Sequence, residues 1–296
     1  MLRTVTTGAA LAGPARPLRA PAVPYLAEMV VVDQPTSMTY VGTDRLAEWG
    51  VRREAVFAAA RENLARRAAR VGGSVADGPV MLRFVEDGES YWSSCLLLDG
   101  WLASLADRVG GRPVAFVPDW ETLIVVADEP ALIGQIVDMI EADYLSAPRA
   151  ISPVPYVGDS TGRTVPYDAP PGHPLHHAVR RAERILAVRE YAQQHALLAG
   201  AHGGAALAHL TLRTRPDGST FTVTTWPHDG SALLPHADFV AFSSVDGDLF
   251  HVPWAEVVEH APPVPVMGLE PARYLVRGWP SGEALNALRA AASGLP

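Results

Sequence analysis

The chain has 296 residues, of which 48% are hydrophobic and 19% are charged, and its formal net charge is −8. This composition excludes a globally disordered chain, and the single cysteine, Cys95, excludes an internal disulfide and a zinc site with several cysteine ligands. Every basic side chain is an arginine. The chain therefore lacks the lysine on which P-loop ATPases, protein kinases and pyridoxal-phosphate enzymes depend.

The distribution of charge predicts no nucleic-acid partner. Residues 72–168 carry five arginines and fifteen acidic residues, whereas a nucleic-acid groove needs clustered positive charge. The arginine-rich stretch 52–70 is interpreted as the solvated face of a helix. No apolar run reaches the roughly 18 residues that a membrane span requires. We therefore predict no membrane partner and a cytoplasmic protein. Residues 1–22, which Pro14 and Pro17 interrupt, are predicted to form a flexible leader. The use of arginine in place of lysine predicts a GC-rich bacterial genome.

Residues 23–147 are predicted to form a domain with a mixed sheet and helices on one side. Apolar patterns and turn residues predict strands over 25–32, 38–41, 80–85, 113–117 and 122–127. Helices are predicted over 44–49, 52–70 and 128–145; Gly50 ends the first, and Pro130 lies near the start of the last. The apolar run 90–98 is predicted to be either a strand or the entry into a helix over 99–109.

The segment 148–172 is rich in proline and glycine, and we predict that it is a linker. Within it, Pro155-Tyr156-Val157 and Val165-Pro166-Tyr167 form two arms around a glycine-rich tip. Residues 173–296 are predicted to form a long helix, to about residue 198, and a β-rich domain. Its predicted elements are hairpins over 209–225 and 238–252, a helix over 254–260, a strand over 274–277 and a helix over 281–292. The predicted fold class is α+β.

Several short motifs in residues 25–145 resemble the uncharacterised YtpQ-type bacterial family. They are Tyr40-Val41, residues 44–51 (DRLAEWGV), residues 62–64 (ENL), Asp87-Gly88, residues 94–97 (SCLL) and residues 113–118 (PVAFVP). After that last proline the family tends to show Asn-Arg-Asp, where this chain has Asp119-Trp120-Glu121. The basic member is therefore missing. The resemblance implies no established activity, and it does not extend to the β-rich C-terminal part.

Residues 158–162, Gly-Asp-Ser-Thr-Gly, match the pattern G-x-S-x-G. An α/β-hydrolase places its nucleophilic serine in this pattern, on a sharp turn between a strand and a helix. Ser160 is therefore a candidate catalytic residue. However, prolines follow the motif, and no helical periodicity begins before residue 174. This context favours a hairpin tip, and a hydrolase that uses Ser160 is kept as the alternative hypothesis.

His173, His176 and His177 lie where the long helix is predicted to start. If the helix includes them all, His173 and His177 share one face at the i,i+4 spacing that can chelate zinc. A third ligand is the difficulty, although Asp168 lies in the preceding loop. The His173/His177 pair is thus the candidate metal site of the hydrolase alternative, while the favoured interpretation needs no cofactor.

Trp92, Trp120, Asp119 and Glu121 are the candidate binding residues. The tryptophans are interpreted as core or interface anchors. The two carboxylates flank the central hairpin and are interpreted as solvated turn residues rather than a glycosidase pair, which needs a separation of about 5–9 Å. Because no catalytic motif retains its structural context, the sequence favours a non-catalytic protein- or ligand-binding or scaffold module. A protein partner or a homo-oligomer is expected, through a sheet edge or the tryptophan-bearing surface.

Overall fold

The structure, a computed structural model, describes residues 1–6, 17–34, 37–69, 81–85, 91–199, 204–243 and 247–292. It contains both helices and sheets, and the predicted α+β class is confirmed. The chain divides into two compact units, Met1–Glu183 and Arg184–Pro296, and the boundary lies within a long helix. Among the described residues, every helix is too short or too polar to cross a membrane.

The N-terminal elements of the first unit form two small antiparallel sheets. Their strands are β1 (Leu2–Thr4), β2 (Arg19–Pro21), β3 (Leu26–Met29), β4 (Val31–Gln34) and β5 (Ser37–Tyr40). β3 pairs with β1 and β2, whereas β4 pairs with β5. The single strand predicted over 25–32 is therefore divided at Val30, because its two halves have different partners. The sequence predicts a flexible leader over 1–22. Residues 7–16 of this segment lie outside the described residues, and among the described ones Leu2 and Leu18 are buried.

Two helices follow β5, and both lie close to their predicted positions. They are α1 (Asp44–Trp49) and α2 (Arg53–Ala68). α1 ends at Gly50, whose φ of +63° is a left-handed conformation that glycine adopts without a steric penalty. α2 buries Phe57 in a cluster with Leu18, Val30 and Val41. Most of its arginines are exposed, which agrees with a solvated basic face.

The apolar run predicted over 90–98 is described from residue 91, and residues 91–98 are neither a strand nor the entry into a long helix. Residues Trp92–Leu97 form a 3-10 helix, and a second 3-10 turn, Ala103–Leu105, leads into the short helix α3 (Ala106–Val109). Residues 92–96 are all buried. A continuous apolar run signals burial on every side but does not by itself distinguish a strand from a helical turn, which explains the difference.

A five-stranded antiparallel sheet is the centre of the first unit. Its strands are β6 (Leu82–Val85), β7 (Pro113–Asp119), β8 (Thr122–Ala127), β9 (Ala150–Gly158) and β10 (Thr164–Pro166). Their order is β10-β9-β7-β8-β6. β7 and β8 form the predicted hairpin, in which Pro113 pairs with Ala127. Both strands are buried along almost their whole length, and since successive side chains alternate between faces, both faces of the sheet are covered.

Helix α4 (Pro130–Ser146) packs against this sheet. Pro130 is in its first turn, where the missing N–H group has no helical partner to lose. The buried positions are Ile133, Ile136, Ile140 and Tyr144. They recur every three or four residues, as the sequence predicts, so that one face of the helix covers β7, β8 and β9.

The proline-rich segment 148–172 differs from the linker that its composition predicts, because β9 and β10 lie within it. The two predicted arms pair antiparallel, with Tyr156 opposite Pro166. β9 tolerates its prolines because its register with β7 shifts between Ser152 and Tyr156. Proline cannot donate to a regular ladder but is compatible with such an irregularity. The long helix α5 (His176–Leu198) follows, and the boundary between the units lies inside it.

The second unit contains two four-stranded sheets and two short helices among its described residues. The elements are β11 (Ala206–Leu207), β12 (Thr211–Thr214), β13 (Thr220–Pro227), β14 (Ser231–Pro235), β15 (Phe239–Ser243), β16 (Leu249–Pro253), α6 (Trp254–His260), β17 (Val264–Val266), β18 (Arg273–Arg277) and α7 (Glu283–Ala290). The sheet orders are β11-β14-β18-β17 and β12-β13-β15-β16. Both predicted hairpins are confirmed, as β12–β13 and β15–β16. Each sheet also contains one parallel pair.

The core of the second unit is rich in aromatic side chains, with Trp226 stacked on Phe242 at a centroid distance of 5.2 Å. A polar cluster centres on Asp238, which accepts hydrogen bonds from Arg184 (2.9 and 3.2 Å) and from the N–H and hydroxyl of Thr222 (2.7 and 2.9 Å). Burial raises the pKa of Asp238, but the bonds from Arg184 and Thr222 lower it by more, and the net pKa is below its ordinary value. The carboxylate therefore stays ionised at neutral pH.

Candidate functional site

The first unit contains a cavity of about 450 Å³. Its apolar lining is made of aliphatic side chains and prolines, and includes Leu2, Leu26, Leu96, Leu97 and Val165. Its polar lining is Arg61, Asp99, Tyr156, Arg163 and Thr164. The cavity thus combines an apolar wall with three charged side chains.

One wall of the cavity is the turn that joins β2 to β3. The turn is closed by two backbone hydrogen bonds, from Ala22 N to Leu26 O (3.1 Å) and from Leu26 N to Val23 O (2.8 Å). Tyr25, within this turn, has a φ of +64°. A left-handed backbone is uncommon for a bulky residue, and such strained positions cluster at functional sites.

A second wall is formed by residues 163–166 of the β9–β10 hairpin, which follow directly on the segment that matches G-x-S-x-G. Asp159 Oδ1 accepts hydrogen bonds from Thr161 Oγ1 (2.7 Å), Thr161 N (2.8 Å) and Arg163 N (3.0 Å). These bonds, led by the Thr161 hydroxyl, lower the pKa of Asp159. Gly162 lies against the backbone of Gly100, whose N–H donates to Gly162 O (2.8 Å). The motif residues Asp159 and Gly162 therefore have a structural explanation.

Two features of the backbone at Gly162 exclude any residue with a side chain. Its φ is +84°, and a Cβ atom at this position would lie 2.9 Å from Gly100 N. Thr164 strengthens the same contact, because its hydroxyl donates to Leu96 O (2.6 Å). The hairpin tip is thus held closely against the end of the 3-10 helix, and this contact fixes the shape of the wall.

Arg61 extends from α2 into the cavity lining and holds a buried carboxylate. Its Nε donates to Glu28 Oε1 (3.0 Å) and its Nη2 to Glu28 Oε2 (2.6 Å). Glu28 is buried on β3, and its hydrogen bond is the main reason that the pKa of Arg61 is raised. Nη1 of Arg61 donates no hydrogen bond to a described residue, so this end of the guanidinium is available to a ligand.

Asp99 and Arg163 flank the contact between Gly100 and Gly162, and both line the cavity. Arg163 donates from Nε to Thr161 Oγ1 (3.1 Å) and from Nη2 to Asp159 Oδ2 (3.4 Å). Its side chain is 69% exposed. Asp99 is exposed, and its carboxylate accepts no hydrogen bond from a described residue. The two side chains are close along the wall but form no ion pair with each other in the described part of the chain.

Tyr156 supplies the least accessible polar group of the lining. It is buried, and its hydroxyl lies 2.7 Å from Ser152 Oγ. Burial raises the pKa of Tyr156, which is therefore a neutral phenol at all ordinary pH values. It contributes shape and a neutral dipole to the cavity, not a charge.

Ser160 is exposed in the turn at the tip of the β9–β10 hairpin. The residues that follow it form β10, not a helix. The motif therefore lacks the helix N-terminus that would stabilise an oxyanion in an α/β-hydrolase, and the predicted hairpin tip is found here.

His173 and His177 are not brought together as the i,i+4 prediction requires. α5 begins at His176, so His173 precedes the helix; its Nδ1 accepts a hydrogen bond from Leu175 N (3.1 Å). His177 packs against the ring of His176. Asp168 lies 3.8 Å from Arg180. The described residues do place three possible metal ligands together elsewhere, in the second unit: Glu256, Glu259 and His260, with ligand atoms within 4.8 Å of one another.

The candidate binding residues lie in structural positions. Trp92 is buried, with its ring 4.9 Å from that of Phe84. Trp120 is half-buried, and the guanidinium groups of Arg149 and Arg3 lie 4.9 and 5.7 Å from its ring.

The two candidate carboxylates lie at the β7–β8 turn, where Asp119 is the last residue of β7 and Glu121 lies between the two strands. Asp119 Oδ1 accepts from the N–H groups of Glu121 and Thr122, both at 2.7 Å, and so closes the turn. Glu121 is exposed. None of Trp92, Trp120, Asp119 and Glu121 is among the residues that line the cavity.

The charged residues of the cavity were not identified from the sequence. Arg61, Asp99 and Arg163 lie on different elements and belong to no common motif. The nearest signal in the sequence is the G-x-S-x-G segment, because Arg163 follows it directly, although no residue of the segment itself is among those that line the cavity. Comparisons with protein-family models, curated proteins and solved structures give no match for this chain.

Proposed function

We propose that this chain is a binding module that takes a small amphipathic molecule in the cavity of the first unit. The observation that carries the proposal is the lining itself, an apolar wall that also presents Arg61, Asp99 and Arg163. Sites for small molecules typically enclose about 300–1,000 Å³ and combine apolar walls with a few polar groups. The cavity, at about 450 Å³, has this size and this composition.

Three features support a binding role for this cavity. The apolar wall supplies affinity, at roughly 25 cal/mol for each Å² of apolar surface that a ligand removes from water. The guanidinium groups of Arg61 and Arg163 each have an Nη1 that donates to no described residue. These groups can orient a ligand, since charge-assisted hydrogen bonds are directional and strong. The left-handed Tyr25 in the β2–β3 turn is the kind of strained residue that a functional wall retains.

Titration with N-phenyl-1-naphthylamine, a neutral apolar fluorophore, tests the proposal. We expect a saturable rise in its fluorescence with the full chain. Leu97→Arg, which places a charged side chain in the apolar wall, should weaken binding at least tenfold. Leu145→Arg is the matched control, because Leu145 is 58% exposed on α4 and does not line the cavity. Absence of saturable binding, or equal binding by Leu97→Arg with an unchanged circular dichroism spectrum, would overturn the proposal.

The expectation of a protein partner or a homo-oligomer stays a prediction, as do the cytoplasmic location, the bacterial origin and the resemblance to the YtpQ-type family.

We propose β17, an edge strand of the second unit, as the surface through which copies of this chain associate. Val264 is 60% exposed on this strand, and the adjacent Met267 is 91% exposed. Unpaired edges accept an additional strand. Light scattering should give more than a monomer mass for the native chain and a monomer mass for Val264→Lys.

A further inference from the structure

We propose that the ligand of this cavity is a zwitterion with an apolar body, in the chemical class of a short apolar peptide with free ends. The inference rests on the proposed function, because it assigns a chemical class to the occupant of the same cavity. It is carried by Asp99 and Arg163, two opposite charges that line one cavity without pairing with each other among the described residues.

The backbone positions of these two residues bring their side chains to neighbouring parts of the wall. Asp99 precedes Gly100 and Arg163 follows Gly162, and the two glycines are joined by a hydrogen bond of 2.8 Å. Because no side chain fits at Gly162, the two backbones stay in direct contact. An ammonium group and a carboxylate group on one small ligand can therefore be bound by adjacent residues of one wall.

The charged groups around the cavity offer a partner to each end of a zwitterion. Each guanidinium group already faces a carboxylate, Arg61 that of Glu28 and Arg163 that of Asp159. Asp99 adds a third carboxylate, and after Glu28 it also contributes to the raised pKa of the Arg61 guanidinium. These two guanidinium groups and three carboxylates leave one negative charge, so a lone anion meets no excess of positive charge. A zwitterion pairs its ammonium group with Asp99 and also places its carboxylate against the unused Nη1 group of Arg163, a contact that a lone cation does not make.

The hydrogen-bonding groups match the two ends of such a ligand. Asp99 is an acceptor for the three N–H donors of an ammonium group. Nη1 of Arg163 donates to no described residue, and it can bind a carboxylate in a charge-assisted bond without breaking the contact with Thr161. Leu26, Leu97 and Val165 then provide the surface for the apolar body.

Calorimetry with three probes that carry the same two leucine side chains tests the inference. The probes are Leu-Leu, its N-acetyl derivative, which is an anion, and its C-terminal amide, which is a cation. We expect the full chain to bind Leu-Leu at least tenfold more tightly than either derivative. Asp99→Asn should abolish the advantage over the acetyl derivative, and Arg163→Gln the advantage over the amide. Asp107→Asn and Arg45→Gln, changes at exposed positions outside the cavity, should preserve both advantages.

The outcomes separate this inference from the proposed function. Saturable binding of N-phenyl-1-naphthylamine together with equal affinity for the three peptides would overturn the zwitterion and leave the binding module standing. Tighter binding of the acetyl derivative would do the same and would indicate a simple anion. Failure of the fluorophore and of all three peptides to bind would overturn both proposals. The fluorophore also serves as the folding control, because Asp99→Asn and Arg163→Gln should still bind it.

Discussion

Replacing Arg273 with methionine measures how much a buried guanidinium stabilises the second unit. Arg273 on β18 has no exposed surface. Its Nε donates to Gln194 Oε1 (2.6 Å) and its Nη1 to Ala208 O (2.8 Å) and Leu233 O (2.9 Å). Nη2 donates to Tyr191 O (3.3 Å). One side chain thus joins α5, β14 and β18.

The expected loss follows from which acceptors keep a donor when Arg273 is replaced. Leu233 O also accepts from Ala208 N (3.2 Å), and the carbonyl of Tyr191, within α5, has its helical partner. Gln194 Oε1 and Ala208 O lose the guanidinium, at about 1–3 kcal/mol each. Methionine also removes the cost of keeping a cation out of water, and this recovers part of the loss. The lowered pKa of Arg273, which burial causes, reflects that cost. We expect the variant to lose about 3 kcal/mol of unfolding free energy.

Urea unfolding followed by circular dichroism and tryptophan fluorescence measures this change. Arg277→Met is the matched control, because Arg277 lies on the same strand and is exposed. Hydrogen exchange provides a second readout, with faster exchange expected in β14 and β18 of Arg273→Met alone. If Arg273→Met were as stable as Arg277→Met, the desolvation of the cation would outweigh its hydrogen bonds and the reasoning would be refuted.

Three further changes test the cavity walls and the acid sensitivity of the second unit. Arg61→Ala leaves the buried Glu28 of β3 without its bidentate partner and should lower the unfolding free energy by about 2 kcal/mol in urea. Arg45→Ala, which removes an exposed ion pair, should lower it by less than about 0.5 kcal/mol. Equal losses in the two variants would contradict this prediction. Gly162→Ala and Gly218→Ala both force alanine to a φ near +84°, but of these two positions only Gly162 places a Cβ against backbone atoms. Gly162→Ala should therefore lose about 1–2 kcal/mol more unfolding free energy than Gly218→Ala. Burial raises the pKa of Asp238, but its hydrogen bonds lower it by more, so the pKa in the folded chain is below that in the unfolded chain. The unfolded chain therefore binds the proton more readily, and the unfolding free energy should fall as the pH drops below about 4. The urea midpoint of Asp238→Asn should change less than that of the native chain between pH 5 and pH 3, and an identical slope would exclude this carboxylate as the cause.

Local patterns predicted elements whose partners lie next to them in the chain. α1 and α6 have their predicted bounds, and the β7–β8 hairpin and the buried face of α4 are also as predicted. Each of these depends on a periodicity or a turn residue within a few positions. The predictions differ from the structure where long-range pairing decides. Residues 25–32 pair with two different sheets, and β9 accommodates its prolines through an irregular register with β7.

The candidate site shows the same division. The sequence alone determined the absence of lysine chemistry, the hairpin tip at residues 158–162 and the helices on either side of it. Only the tertiary structure placed Arg61, Asp99 and Arg163 around one cavity, since no spacing along the chain relates a residue of α2 to a turn and a hairpin tip. Periodicity records which face of an element is buried, because that depends on neighbours in the chain. The convergence of charges depends on how distant elements pack, and the sequence does not encode that locally.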